Sequence, residues 1–205
     1  MKNYISINGM QIELTEDQVK QIVDAYGKGS TNQIQLSEVP VGETFRIGEH
    51  DFIVLEQAEG QTAVILKGLL DETSFGSNNN YDGSNVDKAC RSFAEKLSAL
   101  VGEENLLTHT VDLTSDDGLK DYGTIQRRVS SITAEMYRRF VDILDKYKPD
   151  EWWWLATPFS TEKHENSNWV KCVSPSGCIN YYLYFSRDYG VRPFCILKST
   201  IFVSR

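Results

Sequence analysis

The chain has 205 residues, 40% of them hydrophobic and 11% aromatic, which suits one domain with a sizeable core plus a small appendage. Its formal net charge of -8 argues against a nucleic-acid-coating surface, which needs clustered Lys and Arg; the pairs Arg127-Arg128 and Arg138-Arg139 are short and lie near acids. No apolar run reaches membrane-spanning length, and the opening MKNYISINGM alternates polar and apolar residues with no signal-peptide core.

These features predict a cytoplasmic or virion-associated protein with neither a nucleic-acid nor a membrane partner. Reduced thiols are expected at Cys90, Cys172, Cys178 and Cys195.

Residues 3–14 read as a β-hairpin, with Tyr4-Ile5-Ser6-Ile7 and Gln11-Ile12-Glu13-Leu14 flanking the tight-turn pair Asn8-Gly9. Thr15-Glu16-Asp17-Gln18 has the form of a capping box. The helix it opens places Val19, Ile22, Val23 and Tyr26 on one face, and Gly27-Lys28-Gly29-Ser30-Thr31-Asn32 reads as a flexible link. Residues 1–32 are thus an N-terminal ββα appendage and linker, too small to be stable alone. Its apolar face can dock on the body, residues 33–205, or on a second copy, so a homo-oligomer is open.

In the body, short strands are expected at 44–47, 52–55 and 63–66, and a polar loop with Asn78-Asn79-Asn80 at 71–83. Ser84 can cap a helix whose stripe is Val86, Ala89, Cys90, Phe93, Ala94, Leu97 and Val101, with Gly102 just past its end. A second helix, capped by Thr133, carries Met136, Tyr137, Phe140, Val141 and Leu144 and stops before Pro149. Strands dominate the remainder. The order strands, helix, loop, helix, strands predicts an α+β fold with mostly antiparallel short strands.

In Trp152-Trp153-Trp154, alternation sends Trp153 to one side and its two neighbours to the other. Further on, 170–173 and 178–185 flank Ser174-Pro175-Ser176-Gly177, read as a four-residue turn. With Val173 opposite Cys178, a core face would carry Val170, Cys172, Ile179, Tyr181, Leu183 and Phe185. The surface face would carry Trp169, Lys171, Val173, Cys178, Asn180, Tyr182 and Tyr184. This register separates Cys172 from Cys178, and a slip of one residue would undo it. Arg192, between Val191 and Pro193, reads as a buried, hydrogen-bonded guanidinium tying the last strands together.

Trp153-Trp154-Leu155-Ala156-Thr157-Pro158, then Trp169-Val170 through Gly177, and finally Gly190-Val191-Arg192-Pro193 carry a resemblance. Together they resemble the WWLRSP and GVRPAL pattern of an uncharacterised bacterial and phage domain family with a C-type-lectin-like fold. Gly42-Glu43-Thr44-Phe45 through Leu66-Lys67, Val111-Asp112-Leu113-Thr114 and the helix after Thr133 fall in the same order, so the likeness covers roughly 38–198. Ala156, Thr157 and Phe194 depart from the pattern, and the missing arginine at 156 leaves any site built on that charge without support. The resemblance implies pairing of the N- and C-terminal strands of the body and two flanking helices. Such folds include phage tropism determinants, retroelement-diversified variable proteins, formylglycine-generating sulfatase modifiers and sugar-binding lectins, so fold alone does not choose a function.

The strings of a calcium-dependent lectin, Glu-Pro-Asn or Gln-Pro-Asp with Trp-Asn-Asp, are absent. Asp112, Thr114, Asp116 and Asp117 faintly follow a calcium loop, but Asp117 stands where glycine belongs and Gly123 where glutamate belongs. His50, His109 and His164 lack metal-site spacing, and no nucleophile elbow or phosphate-cradling loop occurs. No catalytic residue, metal or cofactor is therefore expected.

Asn180-Tyr181-Tyr182-Leu183-Tyr184-Phe185-Ser186-Arg187-Asp188-Tyr189 is rich in residues reached by changing adenines in an Asn codon. Retroelement-diversified relatives concentrate such residues here, though an ordinary Tyr-rich hairpin reads the same. Tyr and Asn also make adaptable binding surfaces. The expectation is a non-enzymatic binding protein of phage or prophage origin. It would recognise a protein or glycan through Trp169, Asn180, Tyr182, Tyr184, Asp188 and Tyr189, bordered by residues 160–168. The alternatives are an intracellular phage effector that inhibits a host protein and a sulfatase-modifier-like oxidase using Cys172 and Cys178.

Overall fold

The computed structural model describes residues 3–7, 10–27, 33–164 and 166–205. Strands β1 (Asn3–Ile7) and β2 (Met10–Leu14) pair antiparallel with Ile5 opposite Ile12, as the alternation predicts. The turn Asn8-Gly9 and the link 28–32 lie outside the described residues. Helix α1 (Glu16–Gly27) opens with the expected capping box: Gln18 N donates to Thr15 Oγ1 at 3.2 Å, and Thr15 N donates to Gln18 Oε1 at 3.0 Å.

The body begins with β3 (Gln33–Gln35), followed by β4 (Thr44–Ile47), β5 (His50–Ala58), β6 (Gln61–Leu66) and β7 (Leu70–Thr73). The tight β5–β6 hairpin turns on Glu59 and Gly60, both at positive φ (51° and 75°), the backbone that matches strand twist. Helix α2 (Asn85–Val101) is capped by Ser84, whose Oγ accepts from Asp87 N at 3.0 Å. Its buried side includes Val86, Cys90, Phe93, Ala94 and Leu97, the predicted stripe.

Short strands β8 (Leu106–Leu107), β9 (His109–Asp112), β10 (Thr124–Arg127) and β11 (Val129–Ser130) come next. The helix expected after Thr133 is broken. It becomes α3 (Ala134–Arg139) and α4 (Val141–Leu144), because Phe140 leaves helical geometry at φ −108°, ψ 14°. The chain then forms β12 (Trp153–Pro158), β13 (Trp169–Val173), β14 (Ile179–Leu183), β15 (Tyr189–Val191), β16 (Phe194–Lys198) and β17 (Phe202–Ser204).

The architecture is mixed α+β, with mostly antiparallel strands in two curled sheets. One sheet runs β11-β16-β6-β5-β4-β17-β3, with β8 also on β16; the other runs β14-β13-β12-β15-β7. The first and last strands of the body pair directly, Gln33 opposite Ser204. β12 and β15 run parallel, meeting at Trp153 and Gly190. Gly190 is required there, since a Cβ would come within 2.5 Å of Leu69 Cδ1. No helix among the described residues is long and apolar enough to cross a membrane.

Two apolar cores lie on either side of β12, every residue of which is buried. Trp153 enters the core with Ile53, Ile65, Tyr137 and Leu144, while Trp154 enters the core with Phe75, Val86 and Leu97. The indoles therefore part as alternation demands. Trp154 Nε1 donates to Thr73 O at 2.8 Å, tying β12 to β7. Arg192 is 1% exposed and donates to three carbonyls: Nε to Leu66 O at 2.9 Å, and Nη2 to Lys67 O at 3.1 Å and Tyr147 O at 2.9 Å. Its guanidinium also lies 5.2 Å from the Trp153 ring. The arginine is buried and hydrogen-bonded as expected, but it ties the end of β6 to the segment at Tyr147 and not the last strands to each other.

His109, on β9, is buried edge-on against Phe194 with its Nε2 2.9 Å from Ser130 Oγ, while Nδ1 has no hydrogen-bond partner among the described residues. Burial disfavours the imidazolium and lowers its pKa from 6.5 to about 4. The unfolded chain takes up this proton near pH 6.5 and the folded chain only near 4. Stability from this group is therefore full above 6.5 and lost as pH falls toward 4, by roughly 3 kcal/mol. In urea denaturation at pH 7.5 and pH 4.5, His109→Gln is expected to flatten this dependence. An unchanged pH dependence in the variant would assign it elsewhere.

Candidate ligand-binding surface

The C-terminal hairpin sets which aromatics reach solvent, and its register differs by one residue from the expected one. Val173 faces Ile179 and Cys172 faces Asn180, so Lys171 lies opposite Tyr181 and Trp169 opposite Leu183. The physical reason is the turn. Ser174 N donates to Cys178 O at 3.0 Å and closes a three-residue loop, Pro175-Ser176-Gly177, with Gly177 at φ +86°. Three-residue hairpin loops place a left-handed residue, usually glycine, at that point.

The correction redistributes the side chains. One face carries Trp169, Lys171, Val173, Ile179 and Tyr181; the other carries Val170, Cys172, Asn180 and Tyr182. The second face is the inner one. Val170 and Cys172 are fully buried, and Tyr182, Tyr184, Tyr189 and Trp152 pack partly buried against the same core as Trp154. Tyr189 stacks on Trp152 at 5.5 Å, lies 4.7 Å from Trp154 and meets Tyr182 edge-on at 5.7 Å. Burial, with Cys172 and Tyr182 nearby, raises the Tyr189 phenol to about 12.

The six expected contact residues therefore do not form one face. Tyr182, Tyr184 and Tyr189 lean on the core, and Asn180 sits half-buried beside them with its Nδ2 donating to Cys178 O at 3.2 Å. Asp188 is exposed in the loop between β14 and β15. Trp169 lies on the opposite face.

That opposite face holds an aromatic group the sequence reading missed. Tyr181 is 49% exposed and is flanked by Phe159 at 4.8 Å and by Trp169, edge-on, at 5.3 Å. Lys171 Nζ lies 5.6 Å from both the Phe159 and Tyr181 rings, within cation–π range. The ammonium bonds Asp116 Oδ2 at 3.1 Å, and Arg138 Nη2 reaches Asp116 Oδ1 at 3.0 Å. Partial burial opposes ionisation of Asp116, yet Arg138 and Lys171 hold its carboxyl below the usual range. At the turn end, Ile179 and Val173 join the second core, and Tyr137 Oη donates to Gly177 O at 2.7 Å. The aromatic end of this face is the open one. The signal that could have found it is Gly177 as the third residue of a short loop.

A polar network holds the bordering loop. Asp117 accepts from Ser115 Oγ at 2.5 Å and Ser160 Oγ at 2.7 Å, with His164 Nδ1 at 2.8 Å. Burial works against the charge, but these bonds bring Asp117 down to about 2. Both serines bond the carboxylate and not the imidazole, so the group lacks the order of a catalytic triad. Thr161 Oγ1 donates to Asp121 at 2.7 Å, and Lys163 also pairs with Asp121. Asn79 lies at the centre, fully buried: Nδ2 donates to Ser160 O at 2.8 Å and Trp169 O at 3.1 Å, while Oδ1 accepts from Tyr122 Oη at 2.7 Å. One residue of an apparently solvated Asn run thereby fixes both the loop and the first residue of β13.

Asp112, Asp116 and Asp117 serve different partners, with Asp112 taken by Thr114 N at 2.9 Å and Thr114 Oγ1 at 2.6 Å. Among the described residues no group of His, Cys, Asp or Glu is placed to hold a metal ion. All four cysteines are free thiols. The register removes the alternation argument that separated Cys172 from Cys178; what distinguishes them is burial, Cys172 inside and Cys178 exposed. Burial pushes the Cys172 and Cys90 thiols up to about 12, away from reactive thiolate character. No family model, characterised protein or solved structure matches the chain.

Proposed function

We propose that this chain is a non-enzymatic ligand-binding protein of phage or prophage origin, with a C-type-lectin-like body, that recognises a protein or glycan through its C-terminal hairpin. The observation that carries the reading is the open patch of Phe159, Trp169 and Tyr181 over the Lys171 ammonium. Aromatic anchors with a polar rim are what binding hot spots use, and rings of this kind also stack on sugar faces. Two further features favour the lectin-like body: the pairing of β3 with β17, and the packing of α2 against one core. Because Tyr182, Tyr184 and Tyr189 contribute to packing, their free variation would disturb the core. This favours a fixed surface over a retroelement-diversified one.

The test is a screen of the chain on a bacterial glycan array and a displayed-peptide library, followed by affinity measurement on the best hit. Tyr181→Ala with Trp169→Ala is expected to weaken binding by roughly 30-fold or more at an unchanged melting temperature. Tyr182→Ala is expected to lower the melting temperature instead. A hit that binds the Tyr181/Trp169 double variant as tightly as the parent chain would overturn this surface.

A further inference from the structure

A second candidate site lies away from the aromatic patch. A cleft of about 570 Å³ opens between residues 66–69 and 146–148, and its walls carry three ammonium groups: Lys67, Lys146 and Lys148. Glu49, His50 and Asp51 share the lining, so the three lysines outnumber the two carboxylates by one. Lys148 pairs with Asp145 at 2.9 Å, and Lys67 lies 5.9 Å from the Tyr147 ring. No ion pair engages Lys146 or Lys67 among the described residues. Of the two lining acids, Asp51 lies close enough to Lys67 for its carboxyl to feel that charge. Asp51 is occupied by Arg46 at 2.7 Å, and the Glu49 side chain is 88% exposed.

Arg192 supplies the second, independent observation. Its bonds to Leu66 O and Lys67 O grip one wall of the cleft, and its bond to Tyr147 O grips the other. The walls are therefore held in fixed relation by one side chain, which limits the ordering cost of binding. This guanidinium is almost fully buried, yet carbonyl dipoles and an indole face are its partners, with no carboxylate pairing it among the described residues. Buried charges are ordinarily paired. Arg192 does not itself line the cleft, so it acts on a ligand there only through the walls it holds.

We propose that this cleft binds a small phosphorylated molecule, its phosphate against Lys67 and Lys146 and its organic part on Leu66, Leu69 and Tyr147. A phosphate monoester carries up to two charges and several acceptor oxygens, so it can engage two three-donor ammoniums at once. A single carboxylate matches the site less well.

The experiment is calorimetric titration of the full chain with phenyl phosphate, inorganic phosphate and benzoate at constant ionic strength. Saturable one-to-one binding of phenyl phosphate is expected, tighter than either fragment. Lys67→Gln with Lys146→Gln should weaken it by about tenfold or more with the melting temperature unchanged. Lys88→Gln, an exposed lysine on α2, should leave it unaltered. The proposal is overturned by non-saturable binding, by a double variant that binds as the parent does, or by equal loss in the Lys88 variant. Benzoate binding as tightly as phenyl phosphate would overturn the phosphate assignment.

Discussion

Replacing Arg192 by alanine is expected to cost about 3–5 kcal/mol of unfolding free energy, a large share of the roughly 5–15 kcal/mol that holds a domain together. The substitution strips a buried carbonyl on Leu66 and two part-buried ones on Lys67 and Tyr147 of a charged donor, and leaves a void against the Trp153 ring. Burial lowers the guanidinium only to about 10, so it is charged throughout the neutral range. Arg192→Lys should recover a minor part, since one ammonium cannot follow the planar fork to carbonyls on two segments. Urea denaturation measures both variants. A loss in Arg192→Ala below about 1 kcal/mol would mean that the segments are held by something else.

Arg127→Ala is expected to have an effect of similar size, about 3–5 kcal/mol, for a different reason. Asp87 is fully buried in the first turn of α2, where Arg127 meets it through Nε at 2.7 Å and Nη2 at 2.9 Å, with Nη2 also on Asp82 at 2.6 Å. Removing the arginine leaves a buried carboxylate whose partners among the described residues are the Gly83 amide at 3.0 Å and Arg91 at 3.6 Å. The double variant Asp87→Ala, Arg127→Ala should be more stable than Arg127→Ala alone, because the stranded charge goes with its partner. Additive losses in the cycle would rule out this account.

What the sequence made legible is what local chemistry decides. The capping box at Thr15, the N-cap at Ser84, the parting of Trp153 and Trp154 and the burial of Arg192 all depend on periodicity or on one residue's needs. The hairpin faces were not legible on those terms. A period of two makes every assignment hang on the loop count, and Gly177 changed that count by one. The helix after Thr133 kept its apolar residues but broke at Phe140, where side-chain spacing carries no record of the backbone dihedral. Asn79 was hidden for the opposite reason: its neighbours Asn78 and Asn80 satisfy ordinary turns, and only the fold brings Ser160, Trp169 and Tyr122 to it.

The strand order of the larger sheet bears on how the molecule is assembled. β4, β5 and β6 form a local meander that can zip early, but β17 lies between β4 and β3, and β16 closes the other side of β6. Gln33 finds its partner Ser204 across the whole body. Such pairings carry the full entropy of closing a long loop, so the rate-limiting search should centre on this late insertion. Until it happens, β4 presents an unpaired edge. Trimming 202–204 should therefore slow folding and expose that edge to association between chains, well before it reaches any ligand surface.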